Sequence, residues 1–360
     1  MLQKENFTLD HMDQINHANP SIDKTLLEKM VYAFSLLESL VKAGTPFIFK
    51  GGTCLMLLLN HPNRLSTDID IIVDPDCDIK AYLEKTAQLF PFLRYEEKVR
   101  KGANNIEKRH FKFFYAALTS GKEVGILLDV LYEHNHYEKT IQKEIKNQFL
   151  LTSGEPTLVT LPTIESILGD KLTAFAPNTT GIPYIAVNAE GLETEKKLEV
   201  VKQFFDVSTL FDEVSNFDHI RKTYLEVVQS EIQYRELSVT YHEALLDTFK
   251  CALAILSRGR LFKAEYDNLL EGIKKIQNHI FGVRFDGETA YRFAAKVMLL
   301  VAGLYSNTDV IGISISDQPL ITDAPYNRIN RLKALDENVF NQAATAIQMM
   351  ISAGAGVSLN

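Results

Sequence analysis

The sequence predicts an α+β fold, a small mixed sheet flanked by helices and followed by a helical C-terminal half. Three observations carry the prediction. Residues 47–73, FIFKGGTCLMLLLNHPNRLSTDIDIIV, read as strand, Gly-rich turn, helix, turn, strand. Further β-prone runs stand at residues 93–99, 109–118 and 124–132. From residue 216 onward the apolar residues recur at helical spacing, in segments near 219–231, 239–257, 260–280, 287–305 and 331–352. The expected division is residues 1–162, a core with an N-terminal helix, and residues 163–360, a helical domain.

Composition narrows the class. The chain has 360 residues, enough for two modest domains, and a hydrophobic fraction of 46% supplies real cores. A net charge of -8 argues against a general nucleic-acid coating protein while allowing a local basic groove. Cys54, Cys77 and Cys251 are odd in number and far apart, so neither a disulfide framework nor a paired zinc site is expected. The opening residues lack the apolar core of a signal peptide. The greasiest run, residues 293–305, contains Lys296 and is too short to span a bilayer. A soluble, cytoplasmic protein with no membrane partner is the expectation.

Residues 1–24 are polar and fit an arm or short helix. Residues 26–41 carry a helical stripe of Leu27, Met30, Val31, Phe34, Leu37 and Val41, expected to pack on the sheet. The first strand then reaches Lys50 and breaks at Gly51-Gly52-Thr53. Glycines allow close approach of backbone to a ligand, a helix N-terminus offers free N–H groups to an anion, and Thr53 adds a hydroxyl. In the second strand Asp68 and Asp70 share one face while Ile69 points to the core. Two carboxylates on one face can hold a hard divalent cation such as Mg2+, which also takes substrate phosphates. Phosphate cradle and metal platform on adjacent segments are what a nucleoside triphosphate requires.

Asp74, Asp76 and Asp78 sit beyond the strand around Pro75 and read as a helix-start loop, with Asp78 capping a helix over residues 79–90. The strands at 93–99 and 109–118 flank a turn at 100–105. Lys98, Arg100, Lys101, Lys108, Arg109 and Lys112 there read as solvated hairpin faces or as a basic rim meeting RNA or triphosphate. Residues 124–132, VGILLDVLY, read as a buried strand with one charge, Asp129, costly there unless paired or metal-bound. His134 and His136 have no accompanying ligand set and read as loop histidines. A β-prone run at 157–161 leads through Pro162-Thr163 into the helix IESILGDKLTAFA. Residues 176–193, rich in Asn, Thr, Gly and Pro, read as an exposed loop or lid. In the helix over 194–214, Lys202 and Asp206 are placed to pair at i, i+4. The tail SAGAGVSLN reads as frayed.

Gly51-Gly52-Thr53 followed by Arg64-Leu65-Ser66-Thr67-Asp68-Ile69-Asp70 resembles the first motif of the AbiEii/AbiGii-type nucleotidyltransferases, toxins of bacterial toxin–antitoxin and phage-defence systems. The resemblance covers roughly residues 30–215 and implies a polymerase-β-like core. It implies that Asp68, Asp70 and Asp129 hold Mg2+ (or Mn2+) and carry catalysis, Asp129 standing where that superfamily has its third carboxylate. It implies further that Gly51, Gly52 and Thr53 seat the phosphates of an NTP substrate, and that Arg64 and Ser66 support the turn or touch phosphate. Asp170-Lys171-Leu172 resembles the segment supplying a phosphate-side lysine. Lys202, Asp206, Val207 and Leu210 resemble a [KR]-x-x-D-[LIV]-x-x-L segment with one residue more between the charges. The implied reaction moves an NMP from an NTP to an acceptor hydroxyl, with tRNA or another RNA as acceptor and an antitoxin as partner. The helical half would contribute to the nucleotide and acceptor site. Two alternatives stay open: a small-molecule or protein acceptor at the same site, and a non-catalytic nucleotide-binding protein on the same fold. A P-loop is excluded, because no Lys-Ser/Thr pair follows the glycines.

Overall fold

The computed structural model describes residues 1–98, 108–188 and 191–355. The chain divides into two compact units, Met1–Thr163 with Asn278–Val283, and Ile164–Gln277 with Arg284–Asn360.

The first unit opens with a 3-10 turn, Lys4–Phe7, then α1 (Leu9–Ala18) and α2 (Lys24–Lys42). The Asp23 carboxylate starts α2 by accepting the N–H groups of Thr25 (2.8 Å) and Leu26 (2.9 Å). Five of the six stripe residues are buried, and Val41 in the last turn is half-buried. α2 also buries two carboxylates that the stripe does not include. Glu28 accepts from the backbone of Leu118 and Thr119, and Glu38 accepts from Leu2 N–H (2.8 Å) and the Thr157 hydroxyl (3.1 Å). Buried carboxylates need such partners, and here they tie the helix to two loops.

The sheet consists of β1 (Ile48–Lys50), β2 (Ile69–Val73), β3 (Arg94–Lys98), β4 (Lys108–Ala116) and β5 (Glu123–Tyr132), in the order β1-β2-β5-β4-β3. β2 and β5 run parallel and the other pairs antiparallel, so the sheet is small and mixed. α2 packs on it through Tyr32, stacked on Tyr115 at 3.6 Å. Between β1 and β2 lies α3 (Gly51–Leu58), and after β2 comes α4 (Ile79–Ala87). α4 stops short of residue 90 because Phe90 precedes Pro91, whose ring disfavours helical backbone in the residue before it. Asp78 occupies its N-cap, but the side chain makes none of the expected capping hydrogen bonds.

β5 corrects one expectation. Its burial alternates, with Ile126, Leu128 and Val130 inside and Leu127, Asp129 and Leu131 on a half-open face. Asp129 is 40% exposed, so its place follows from strand register and not from burial. An antiparallel pair, β6 (Thr140–Glu144) with β7 (Leu158–Pro162), completes the unit; β6 was not anticipated.

The second unit holds α5 (Ile164–Ala174), a small hairpin of β8 (Ile185–Val187) and β9 (Glu193–Glu195), then α6 (Lys197–Phe211), α7 (Phe217–Tyr234), α8 (Tyr241–Leu256) and α9 (Lys263–Lys275). It closes with α10 (Ala290–Ser306), the short α11 (Leu332–Leu335) and α12 (Glu337–Ser352). Phe204, Phe205, Phe285 and Phe293 pack against one another in its core, and α8 begins with a capping box between Thr240 and Glu243. Within the loop expected over 176–193, the described residues 176–188 carry regular structure that their composition did not suggest. They contain β8, and the Asp247 carboxylate on α8 accepts the Asn178 N–H (2.8 Å) and the Thr179 hydroxyl (3.0 Å). Among the described residues, no helix is long and apolar enough to cross a membrane. The three cysteines are free thiols. The turn at 100–105, with Arg100 and Lys101, lies outside the described residues, as do the last five residues of the tail.

Candidate active site

The site is built by register. β1 pairs Lys50 with Asp70, parallel β2–β5 pairing sets Asp70 beside Asp129, and β4 sets His110 opposite Asp129. Directly paired residues point to the same face, and neighbouring strands lie about 4.8 Å apart. Lys50, Asp70, Asp129 and His110 therefore form one row across four strands. Asp68, one residue before β2, is exposed; period-two alternation keeps it on the Asp70 side, with buried Ile69 between them. The His110 Nδ1 lies 2.7 Å from Asp129 Oδ1.

The Gly-Gly-Thr turn packs against this row at atomic contact. Gly51 has φ +79°, and a Cβ built there would lie 1.9 Å from Asp70 Oδ2. Only glycine allows both that conformation and that approach. A Cβ on Gly52 would lie 2.6 Å from Arg64 Nη2 and 2.9 Å from Ser66 Oγ, so those side chains stand over the second glycine. Thr53 is fully buried, and its hydroxyl donates to the Asp68 carbonyl at 2.5 Å. That hydroxyl was expected to meet phosphate; it instead fastens the helix start to the residue that leads into β2. Arg64 is buried and donates to the Leu65 carbonyl at 3.2 Å, and its backbone bridges to Ile280. One turn of helix thus locks Gly51, Gly52, Thr53, Arg64, Ser66, Asp68 and Asp70 into a single arrangement.

Lys171 and Asp206 stand in the second unit, on α5 and α6. They pair with each other at 3.2 Å, and Lys171 also donates to Gln203 Oε1 at 3.0 Å. Both are nearly fully buried, so Lys171 is not a solvated lysine, and Asp206 pairs with it from α6. The basic rim is partly committed as well. Arg109 grips Glu97 through two N–H groups at 2.7 and 2.8 Å, which holds the Glu97 carboxyl below its ordinary range.

The donor chemistry at the row suits a hard divalent cation, since Asp68, Asp70 and Asp129 offer carboxylate oxygens alone. Adjacent like charges at Asp70 and Asp129 also favour a cation between them. Among the described residues, no three His, Cys, Asp or Glu side chains are gathered closely enough to hold an ion as they stand. His134 and His136 lie beside Asp74 (3.9 Å) and Glu133 (3.6 Å) and join no such group.

His110 was missed by sequence reasoning. A signal existed: with Ala116 facing Glu123 across the β4–β5 turn, strict pairing carries His110 to Asp129.

Residues 35–297 match the model of the nucleotidyl transferase AbiEii toxin family, described as a type IV toxin–antitoxin system. The chain belongs to that family. It is therefore an AbiEii nucleotidyltransferase, and the residues matched include the glycine turn and the carboxylate row. Solved structures similar to it include two proteins of Helicobacter pylori. The JHP933 protein of Helicobacter pylori is 17% identical, with 78% of this chain and 95% of that chain covered and a TM-score of 0.44. A nucleotidyltransferase candidate from H. pylori is 16% identical, with 78% and 99% covered and a TM-score of 0.44. A search of curated proteins found no match.

Proposed function

We propose that this AbiEii nucleotidyltransferase moves an NMP from an NTP to a hydroxyl of RNA, with a tRNA end as the favoured acceptor, and so acts as a growth-inhibiting bacterial toxin in the cytoplasm. The observation that supports the reading is the close packing of Gly51 on Asp70, which brings the start of α3 against the carboxylate row. The free N–H groups of Gly51, Gly52 and Thr53 open α3 and would receive phosphate oxygens, with Arg64 and Ser66 beside them. Asp68, Asp70 and Asp129 would hold Mg2+ (or Mn2+), which when bound supplies charge neutralisation to the phosphates.

In the reaction, the acceptor oxygen bonds to the α-phosphorus, the bond to pyrophosphate breaks, and the hydroxyl proton passes to the Asp129 carboxylate. Lys50, at the end of the row, is placed to offset the gathered negative charge. Lys171 and Asp206 are assigned to triphosphate binding on the family resemblance alone; a Lys171→Met protein that binds NTP as well as wild type removes that assignment. A cognate antitoxin is proposed on the same footing.

The test is transfer from each α-labelled NTP, with Mg2+ and total bacterial RNA. Label on RNA supports the proposal and names the base. Label on protein or a small molecule keeps the enzyme and discards the RNA. Triphosphate binding with no transfer to any acceptor overturns the catalytic reading of this chain.

A further inference from the structure

We infer that His110 is a positioning residue: its Nδ1–H fixes the Asp129 carboxylate in the orientation that the transfer requires. The inference rests on the reading of Asp129 as a member of the active site. It starts from the contrast between the two partners. Asp129 is 40% exposed and carries a short side chain on the half-open face of β5, where water alone would leave its carboxylate free to rotate. The His110 ring is only 14% exposed, held on β4 at the directly opposed position. A packed donor thus holds a half-open acceptor, and the 2.7 Å separation is that of a charge-assisted hydrogen bond.

The bond engages Oδ1 of Asp129. Among the described residues His110 is the hydrogen-bond partner shown for this carboxylate, and Oδ2 is left for a cation or for the proton of an acceptor hydroxyl. A carboxylate only accepts, so the proton in the bond is on Nδ1, and the tautomer of His110 is fixed with it. Second partners of this kind orient metal-binding carboxylates, and removing one typically costs about 10–100-fold in metal affinity or activity. His110 touches neither phosphate nor acceptor in this account; it acts through Asp129.

The test compares His110→Phe, which keeps a ring and removes the donor, with His110→Asn, whose amide N–H reaches about where Nδ1–H stands. Three quantities are measured on the full chain: kcat, KM for the NTP, and Mn2+ affinity without nucleotide, from the spin-resonance signal of free Mn2+. His110→Phe is expected to lower kcat about 10–100-fold, leave KM near wild type and weaken Mn2+ binding, while His110→Asn recovers most of both losses. Wild-type kcat and Mn2+ affinity in His110→Phe overturns the inference. So does equal impairment of the Phe and Asn variants with unchanged thermal melts, since a donor would then be irrelevant. Asp129→Asn, run alongside, separates the two levels. If it transfers at the wild-type rate, the reading of Asp129 falls and this inference with it; if it is inactive while His110→Phe is normal, the inference alone fails.

Discussion

Gly51→Ala gives the site's most quantitative test, because the chain supplies its own control. Gly51 and Gly44 share nearly the same φ, +79° and +77°, but a Cβ on Gly44 would meet nothing within 4 Å, whereas one on Gly51 would lie 1.9 Å from Asp70 Oδ2. Forcing an L side chain into the left-handed region costs about 1–2 kcal/mol, and both variants bear that cost. Gly51→Ala must also push the Asp70 carboxylate aside, and overpacking of this kind adds about 1–3 kcal/mol. For a unit of this size 1 kcal/mol moves Tm by roughly 2–4 °C, so the two variants should differ by roughly 2–12 °C in thermal melts. The larger effect is on transfer. Displacing a reacting group by about 1 Å costs on the order of 100-fold, so Gly51→Ala should lose at least that while Gly44→Ala keeps the wild-type rate below its melting range. Equal melting of the two variants, with wild-type transfer by Gly51→Ala, would refute the claim that the glycine exists to seat Asp70.

Two further outcomes follow from groups in the second unit. Breaking the buried Lys171–Asp206 pair by Asp206→Ala should cost about 3–5 kcal/mol, because it leaves a buried ammonium uncompensated. The double variant Lys171→Met with Asp206→Leu should recover much of that loss in denaturant melts, and a double variant as unstable as the sum of its singles counts against the pairing. Asp247 supplies a pH dependence. Burial raises its pKa above the ordinary 3.8, with Glu265 adding to the rise against hydrogen bonds from Asn178 and Thr179. A carboxyl raised in the folded state holds its proton longer there than in the unfolded chain, so its contribution is full below the unfolded pKa and lost as pH rises through the folded one. The Tm of wild type minus that of Asp247→Asn should therefore fall as pH rises above the ordinary carboxylate range; a signed difference that rises with pH contradicts the assignment.

The parts of this protein that sequence made legible are those with strong periodicity. The apolar stripe of α2, the alternation in β4 and the apolar run of β5 located their elements within a few residues, and Gly-Gly-Thr with Asp-Ile-Asp marked the turn and strand that the structure packs together. What stayed hidden depends on pairing between elements. β6, TIQKE, is polar and short, and only its partner β7 makes it a strand. Glu28 and Glu38 lie off the apolar stripe of α2, yet loops distant in sequence bury them. Asp129 was expected to be buried by its apolar neighbours; the structure leaves it half-open and sets it beside Asp70 across a parallel pair. Thr53 shows the opposite case, a residue in a motif whose hydroxyl faces inward to the Asp68 carbonyl.

The central claim is that the carboxylate row performs nucleotidyl transfer, and Asp70→Asn tests it most directly. The substitution preserves size and the contact with Gly51 while removing the charge. Wild type and variant are incubated with Mg2+, α-labelled NTP and bacterial RNA, after thermal melts establish that both are folded. The account predicts label on the acceptor with wild type and transfer reduced to background by Asp70→Asn. Transfer by a folded Asp70→Asn protein at the wild-type rate would contradict it.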